Sequence, residues 1–199
     1  MIRTTIKILL ILFSFNSYSQ PNIEKIEIYN SVLDNFAKSS SLETKMLLID
    51  STCEANYHNE IEDTILQKYF LIRKYDLESK IKLRRNFIDN SKFKEIISFS
   101  NLNINKFIIF KQDSLNKIFQ TCNDTLGYDL DEKCWSFIHD TLKFNGFCKF
   151  SNPYFYNDKT VLIYFYHLLG PLAGVGYVYV LIKVDGKWKI VSKIWQWIS

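Results

Sequence analysis

The sequence predicts an α+β domain, with N-terminal helices packed on a C-terminal antiparallel sheet of about four strands. Three observations carry this. Ile23, Ile26, Tyr29, Val32, Leu33 and Phe36 recur at helical spacing. The last third of the chain holds long apolar and aromatic runs. Asn157-Asp158 and Asp185-Gly186 punctuate those runs, and Asp-Gly between apolar runs is a strong hairpin signal.

The first helix covers about 23–38, and Ser39-Ser40-Ser41 breaks it. Met46-Leu47-Leu48-Ile49 reads as a short buried strand before Asp50-Ser51-Thr52. After a polar loop at 54–60, a second helix is expected over about 60–76, with Ile61, Ile65, Leu66, Tyr69, Phe70 and Ile72 apolar. Ile81, Leu83 and Phe87-Ile88 fit an extended segment. A turn at 101–105 precedes a strand at 106–110, and 113–119 reads as a short helical turn. An acidic loop at 121–133 leads to a third helix carrying Trp135, Ile138 and Leu142, ended by Gly146. Four strands follow, at 147–155, 160–168, 176–184 and 187–198. In the third, Tyr177, Tyr179 and Leu181 alternate with Val178, Val180 and Ile182, so neither face is polar and both must be covered.

The N-terminus is expected to be a secretory signal peptide covering residues 1–19. Arg3 and Lys7 precede the unbroken apolar run Ile8–Phe13, and Ser17 and Ser19 supply a small-x-small cleavage site before Gln20. The run is too short to cross roughly 30 Å of hydrocarbon, which needs about 20 residues. No later segment reads as a membrane span, so stable membrane insertion is not expected after cleavage. The working chain is then one domain over 20–199, acting in the periplasm or outside the cell.

Removing Arg3 and Lys7 lowers the formal net charge from +4 to +2, which takes away the main argument for nucleic-acid binding. The remaining charge is segregated. Residues 20–79 hold 6 basic and 11 acidic groups, residues 80–120 hold 9 and 3, and residues 143–199 hold 7 and 2. The simplest reading is that oppositely charged segments face one another; the sharper one is a basic sheet face for an anionic partner.

Cys53, Cys122, Cys134 and Cys148 are an even set that an exported chain can oxidise, and Cys122 with Cys134 would close a short acidic loop. Four free thiols are an equal alternative, because a chain this long does not depend on staples. Neither CxxC pairs nor clustered histidines suggest zinc, the acidic loop does not match a calcium-binding order, and no cofactor is implied.

Three histidines narrow the catalytic options. His58 lies in a polar stretch beside Glu60, Glu62 and Asp63. His139 follows Trp135 by one helical turn and reads as a partly buried structural residue. His167 ends the strand face Val161, Ile163, Phe165, with Tyr164 and Tyr166 on the opposite face. It precedes Gly170-Pro171-Leu172-Ala173-Gly174-Val175-Gly176, whose backbone amides could cradle an anion, or which could form a wide turn or bulge. The candidate ligand-binding residues are therefore His167, Tyr164, Tyr166, Gly170, Gly174 and Gly176. No catalytic or metal-binding set is assigned.

The last clue is a set of local strings in the C-terminal part. Gly146 to Phe150 runs into Ser151-x-Pro153-x-Phe155-x-x-Asp158. Gly170-Pro171-Leu172-Ala173-Gly174-x-Gly176 and Gly186-Lys187-Trp188-Lys189-Ile190-Val191 follow, and the chain closes on Trp197-Ile198-Ser199. Together these strings resemble a family of uncharacterised exported bacterial proteins over about 135–199. That family has no assigned activity, so the resemblance transfers no catalytic residues. Similar members sometimes carry Cys where this chain has Leu169 and Ala173, so a disulfide across that loop is not expected here. The function expected is a small exported binding or accessory protein for an unknown small ligand or protein partner. The alternatives are an inhibitor or immunity-type interaction factor, and a hydrolase using His167 or His58 with a neighbouring acid.

Overall fold

The computed structural model describes residues 23–40, 45–97, 106–123 and 130–198. The expected signal peptide, the turn at 101–105 and the acidic stretch 124–129 lie outside the described residues, as does the side chain of Cys122.

Helix α1 (residues 23–39) buries the stripe Ile28, Tyr29, Val32, Leu33 and Phe36. It stops where Ser39 and Ser40 donate their hydroxyls to the Phe36 carbonyl, at 3.1 and 2.6 Å, in place of another helical turn. Strand β1 (Met46–Ile49) is buried at every position. Its apolar run suits a parallel strand covered on both faces: Met46 and Leu48 pack under α1, while Leu47 and Ile49 pack on the far face.

Helices α2 (Asp63–Phe70) and α3 (Leu77–Ser91) come next. The second corrects the extended segment expected around Ile81 and Leu83. Asp76 caps α3 by accepting from the Ser79 amide at 3.0 Å, and Leu83 and Phe87 bury one face, four residues apart. Leu77 and Ile81 are apolar but exposed, and they blur that periodicity. Strand β2 (Phe107–Phe110) precedes α4 (Gln112–Asn123), which is a full helix and more than the single turn expected. Asp50, at the end of β1, accepts from the Gln112 amide at 2.9 Å, so a residue distant in sequence caps α4. Helix α5 (Leu130–Ser136) replaces the end of the expected acidic loop and runs into a π-helical turn, Phe137–Thr141. His139 is half-buried there. Its ring stacks on Trp135 at 25°, and its nitrogens lie 3.0 and 2.9 Å from the Phe144 and Leu169 carbonyls.

The expected antiparallel sheet of about four strands is corrected to a mixed sheet of seven, ordered β2-β1-β3-β5-β6-β7 with β4 also pairing β5. Strand β1 is parallel to both β2 and β3; the other pairings are antiparallel. The run expected as one strand over 147–155 is β3 (Phe147–Phe150) and β4 (Tyr154–Asn157). The break is chemical. Pro153 has no N–H to donate, and the Ser151 hydroxyl accepts the Tyr164 amide at 2.9 Å in place of a backbone carbonyl. Strands β5 (Thr160–Gly170), β6 (Ala173–Val184) and β7 (Lys187–Ile198) form the long antiparallel part. Asp185 and Gly186 turn between β6 and β7 with φ of 52° and 76°, as a two-residue primed turn requires.

Both faces of β5 and β6 are covered, as their sequences demand. Helix α1 lies over Ile163, Phe165, Tyr179 and Leu181; α2 and α3 lie over Leu162, Tyr164, Val178 and Val180. Helices α4 and α5 complete the far face over β1 and β3. Oppositely charged segments do meet: Lys25 pairs with Glu95, Lys80 with Asp63 and Lys183 with Glu24. Among the described residues no helix is long and apolar enough to cross a membrane.

Two glycines are fixed by contact. A Cβ on Gly146, where φ is +89°, would lie 2.0 Å from the Leu168 carbonyl oxygen; one on Gly176 would lie 2.2 Å from the Trp197 indole nitrogen. Gly146→Ala is expected to cost about 3 kcal/mol or more and Gly176→Ala about 1–3 kcal/mol. Urea unfolding checks both, and the larger loss belongs at Gly146, whose obstacle is backbone.

Candidate functional site

Strand alternation splits the expected binding residues between two faces. On the far face the space beside Gly174 and Gly176 is already filled. Leu168 and Trp197 would meet a Cβ at Gly174, while Trp197 and Tyr164 would meet one at Gly176. The Trp197 indole donates to the Tyr164 hydroxyl at 2.5 Å, and Tyr166 packs against Trp197 and Phe147. Gly174 pairs with Leu168 and Gly176 with Tyr166 inside the β5–β6 ladder, while Gly170 and Ala173 close a two-residue turn on Pro171-Leu172. The glycine segment is thus a tight turn with a bulge or irregularity between Leu168 and Gly170, followed by a packed strand.

His167 is on the α1 face, where Val161, Ile163 and Phe165 lead to it. Its ring is 4.7 Å from Phe36 and stacks with Tyr177 at 21°. Tyr177 and Tyr179 follow on β6, and their β7 partners are Trp195 and Lys193. The Lys193 ammonium sits 3.9 Å from the centre of the Tyr177 ring. Its partial desolvation lowers its pKa. Among the described residues no carboxylate pairs with it. Trp195 is 48% exposed and Ile198, opposite Val175 at the strand end, is 66% exposed. These residues share a face only because β7 carries bulges. Trp188 and Ile190 face α1; the irregularity opposite Val180 and Leu181 then shifts the alternation, so Lys193 and Trp195 face α1 as well.

Beneath this surface, His167 Nδ1 and the Tyr179 hydroxyl are buried without a hydrogen-bond partner among the described residues. A buried polar group left unpaired costs about 1–3 kcal/mol, so two in one cluster require an explanation. Burial, and then the Lys193 charge, push the His167 pKa down to about 4. Burial also raises the Tyr179 hydroxyl well above its ordinary value. At neutral pH the cluster therefore combines a neutral imidazole, a protonated phenol and one ammonium.

The remaining candidates are elsewhere. His58 is in an exposed loop, and its role in the fold is through its amide, which donates to the Gln196 side-chain oxygen at 2.6 Å. Gln196 also receives the Asn59 amide and donates to the Asn59 carbonyl, tying the loop to the edge of β7. No hydrogen bond or ring contact among the described residues joins His58 to His167, and no carboxylate bonds to the His167 imidazole. Cys148 is a buried free thiol beside His167 in the ladder, and burial pushes the free Cys53 thiol up to about 12, so neither is poised as a nucleophile. Among the described residues no group of three His, Cys, Asp or Glu side chains could hold a metal ion. A cleft of roughly 460 Å³ opens at the opposite end of the sheet, between Lys68, Leu71, Lys159 and Lys183, but Lys183 is engaged by Glu24.

No family model, no curated protein and no solved structure matches the chain.

The low His167 pKa makes stability pH-dependent. Between about pH 6.5 and 4 the unfolded chain binds a proton that the folded one refuses, so stability is complete above 6.5 and falls toward 4. The expected loss is about 2 kcal/mol, allowing for the slightly exposed ring edge. Thermal unfolding across this range checks it, and a His167→Phe variant should lose that part of the slope.

Proposed function

We propose that the chain is an exported binding or accessory domain, acting in the periplasm or outside the cell, and that it makes contact through the Tyr177–Lys193–Trp195 end of the sheet with His167 at its buried edge. The observation that carries the reading is Trp195, an indole half-exposed on a sheet face, opposite Tyr177 and beside an ammonium without a carboxylate partner among the described residues. Aromatic anchors of this kind dominate the energetics of protein contacts when a partner covers them. The packed glycine segment favours an open contact face over a small enclosed ligand pocket, which moves the weight toward a protein partner of the inhibitor or immunity type. A hydrolase has less support, since His167 lacks the acid that would orient it.

Oxidative footprinting of the protein in intact cells and after purification tests the contact face. Trp195 and Ile198 are expected to be oxidised at least fivefold less in cells, with Leu71 and Tyr75, exposed elsewhere, unchanged. Equal labelling of Trp195 in both settings would sink the reading. Export is tested separately by the N-terminus of the purified extracytoplasmic protein: Gln20 is expected, and a retained Met1 would overturn it.

A further inference from the structure

We infer that the partner of this face is an acidic polypeptide segment, whose carboxylate takes the Lys193 ammonium while its apolar side chains lie on Trp195 and Ile198. The inference rests on the contact face just proposed and adds the chemistry of what covers it.

Charge is the first argument. On this face the charge is that of Lys193, opposite Tyr179; Lys187 and Lys189, opposite Val184 and Ile182, alternate onto the other side of β7. Lys183, on the neighbouring strand, is neutralised by Glu24 on α1, which shows what the fold does with such a lysine where α1 can reach. Lys193 has no carboxylate partner among the described residues and has the Tyr177 and Tyr179 rings beneath it. A cation over aromatic rings keeps most of its charge available to an incoming anion.

Shape and polarity are the second. The exposed groups Trp195 and Ile198 continue from Lys193 toward the strand end, so an occupant must supply apolar surface next to its carboxylate. A bare anion cannot do this and an extended peptide with alternating acidic and apolar residues can. The two orphaned polar atoms underneath, His167 Nδ1 and the Tyr179 hydroxyl, lie in the same ring cluster, and their residues are at least nine-tenths buried. They lie beneath the face and are not themselves exposed to an occupant.

The test uses ¹⁵N-labelled protein at low salt and three blocked hexapeptides: (Glu-Leu)3, (Gln-Leu)3 and (Lys-Leu)3, with sodium acetate as a fourth probe. The glutamate peptide is expected to shift the Tyr177, Lys193 and Trp195 resonances. Its affinity should fall at least fivefold in Lys193→Gln, at least fivefold for the glutamine peptide, and further as salt rises. Lys193 is solvent-exposed, so its substitution should leave the spectrum of the free protein otherwise intact. Equal binding of the glutamine or lysine peptide, insensitivity to Lys193→Gln, or shifts confined to the Lys68–Lys159 cleft would overturn the inference. So would acetate matching the glutamate peptide, because that would make the ligand a small acid. If no peptide binds while Trp195 is still protected in cells, the ligand class fails and the contact face stands; loss of that protection removes the face itself.

Discussion

Strands β5 and β6 are apolar on both sides, and the rest of the molecule is arranged around covering them. Val161, Ile163 and Phe165 require α1, while Leu162, Tyr164 and Val178 require α2 and α3. Neither layer can be removed without exposing a full sheet face to water, at roughly 25 cal/mol for each Å² of apolar surface. The same demand explains the parallel strand β1. Once α1 lies on one face and α4 with α5 on the other, a strand inserted beside β3 must be apolar at every residue, and Met46-Leu47-Leu48-Ile49 meets that condition.

That demand is visible in the sequence because it depends on local alternation. The stripe of α1, the run of β1, the Asp185-Gly186 turn and the opposition of His167 to Tyr164 and Tyr166 all follow from spacings of two, three or four residues. The mixed topology is not visible there. Strand β2 pairs with β1 across about sixty residues, and nothing local in Phe107–Phe110 specifies a parallel neighbour. Helix α3 is obscured for a different reason: its exposed Leu77 and Ile81 carry the same apolar signal as its buried Leu83 and Phe87.

The candidate site is half legible. Alternation along β5 reaches His167, but bulges hide its neighbours on β7. A strict period of two from Trp188 and Ile190 places Ser192 and Ile194 on the α1 face; the observed register places Lys193 and Trp195 there. The glycines suggest an opening because glycine permits close approach. Here the approaching group is the protein's own Trp197, and Gly174 and Gly176 are small so that the indole can lie against the ladder.

These two uses of tryptophan bear on how the sheet end works. Trp197 is held on the far face, its N–H bonded to Tyr164 and its ring seated over glycines, so it fixes the strand end in place. Trp195, two residues earlier, has no such seat and points from the same rigid strand into solvent. A contact residue is more effective when its backbone is already ordered, because less entropy remains to be lost on binding. Gln196 between them adds to this, since its side chain ties β7 to the His58–Asn59 loop through three hydrogen bonds. The exposed indole and the neighbouring ammonium are therefore carried by a strand anchored on its far face and at its edge.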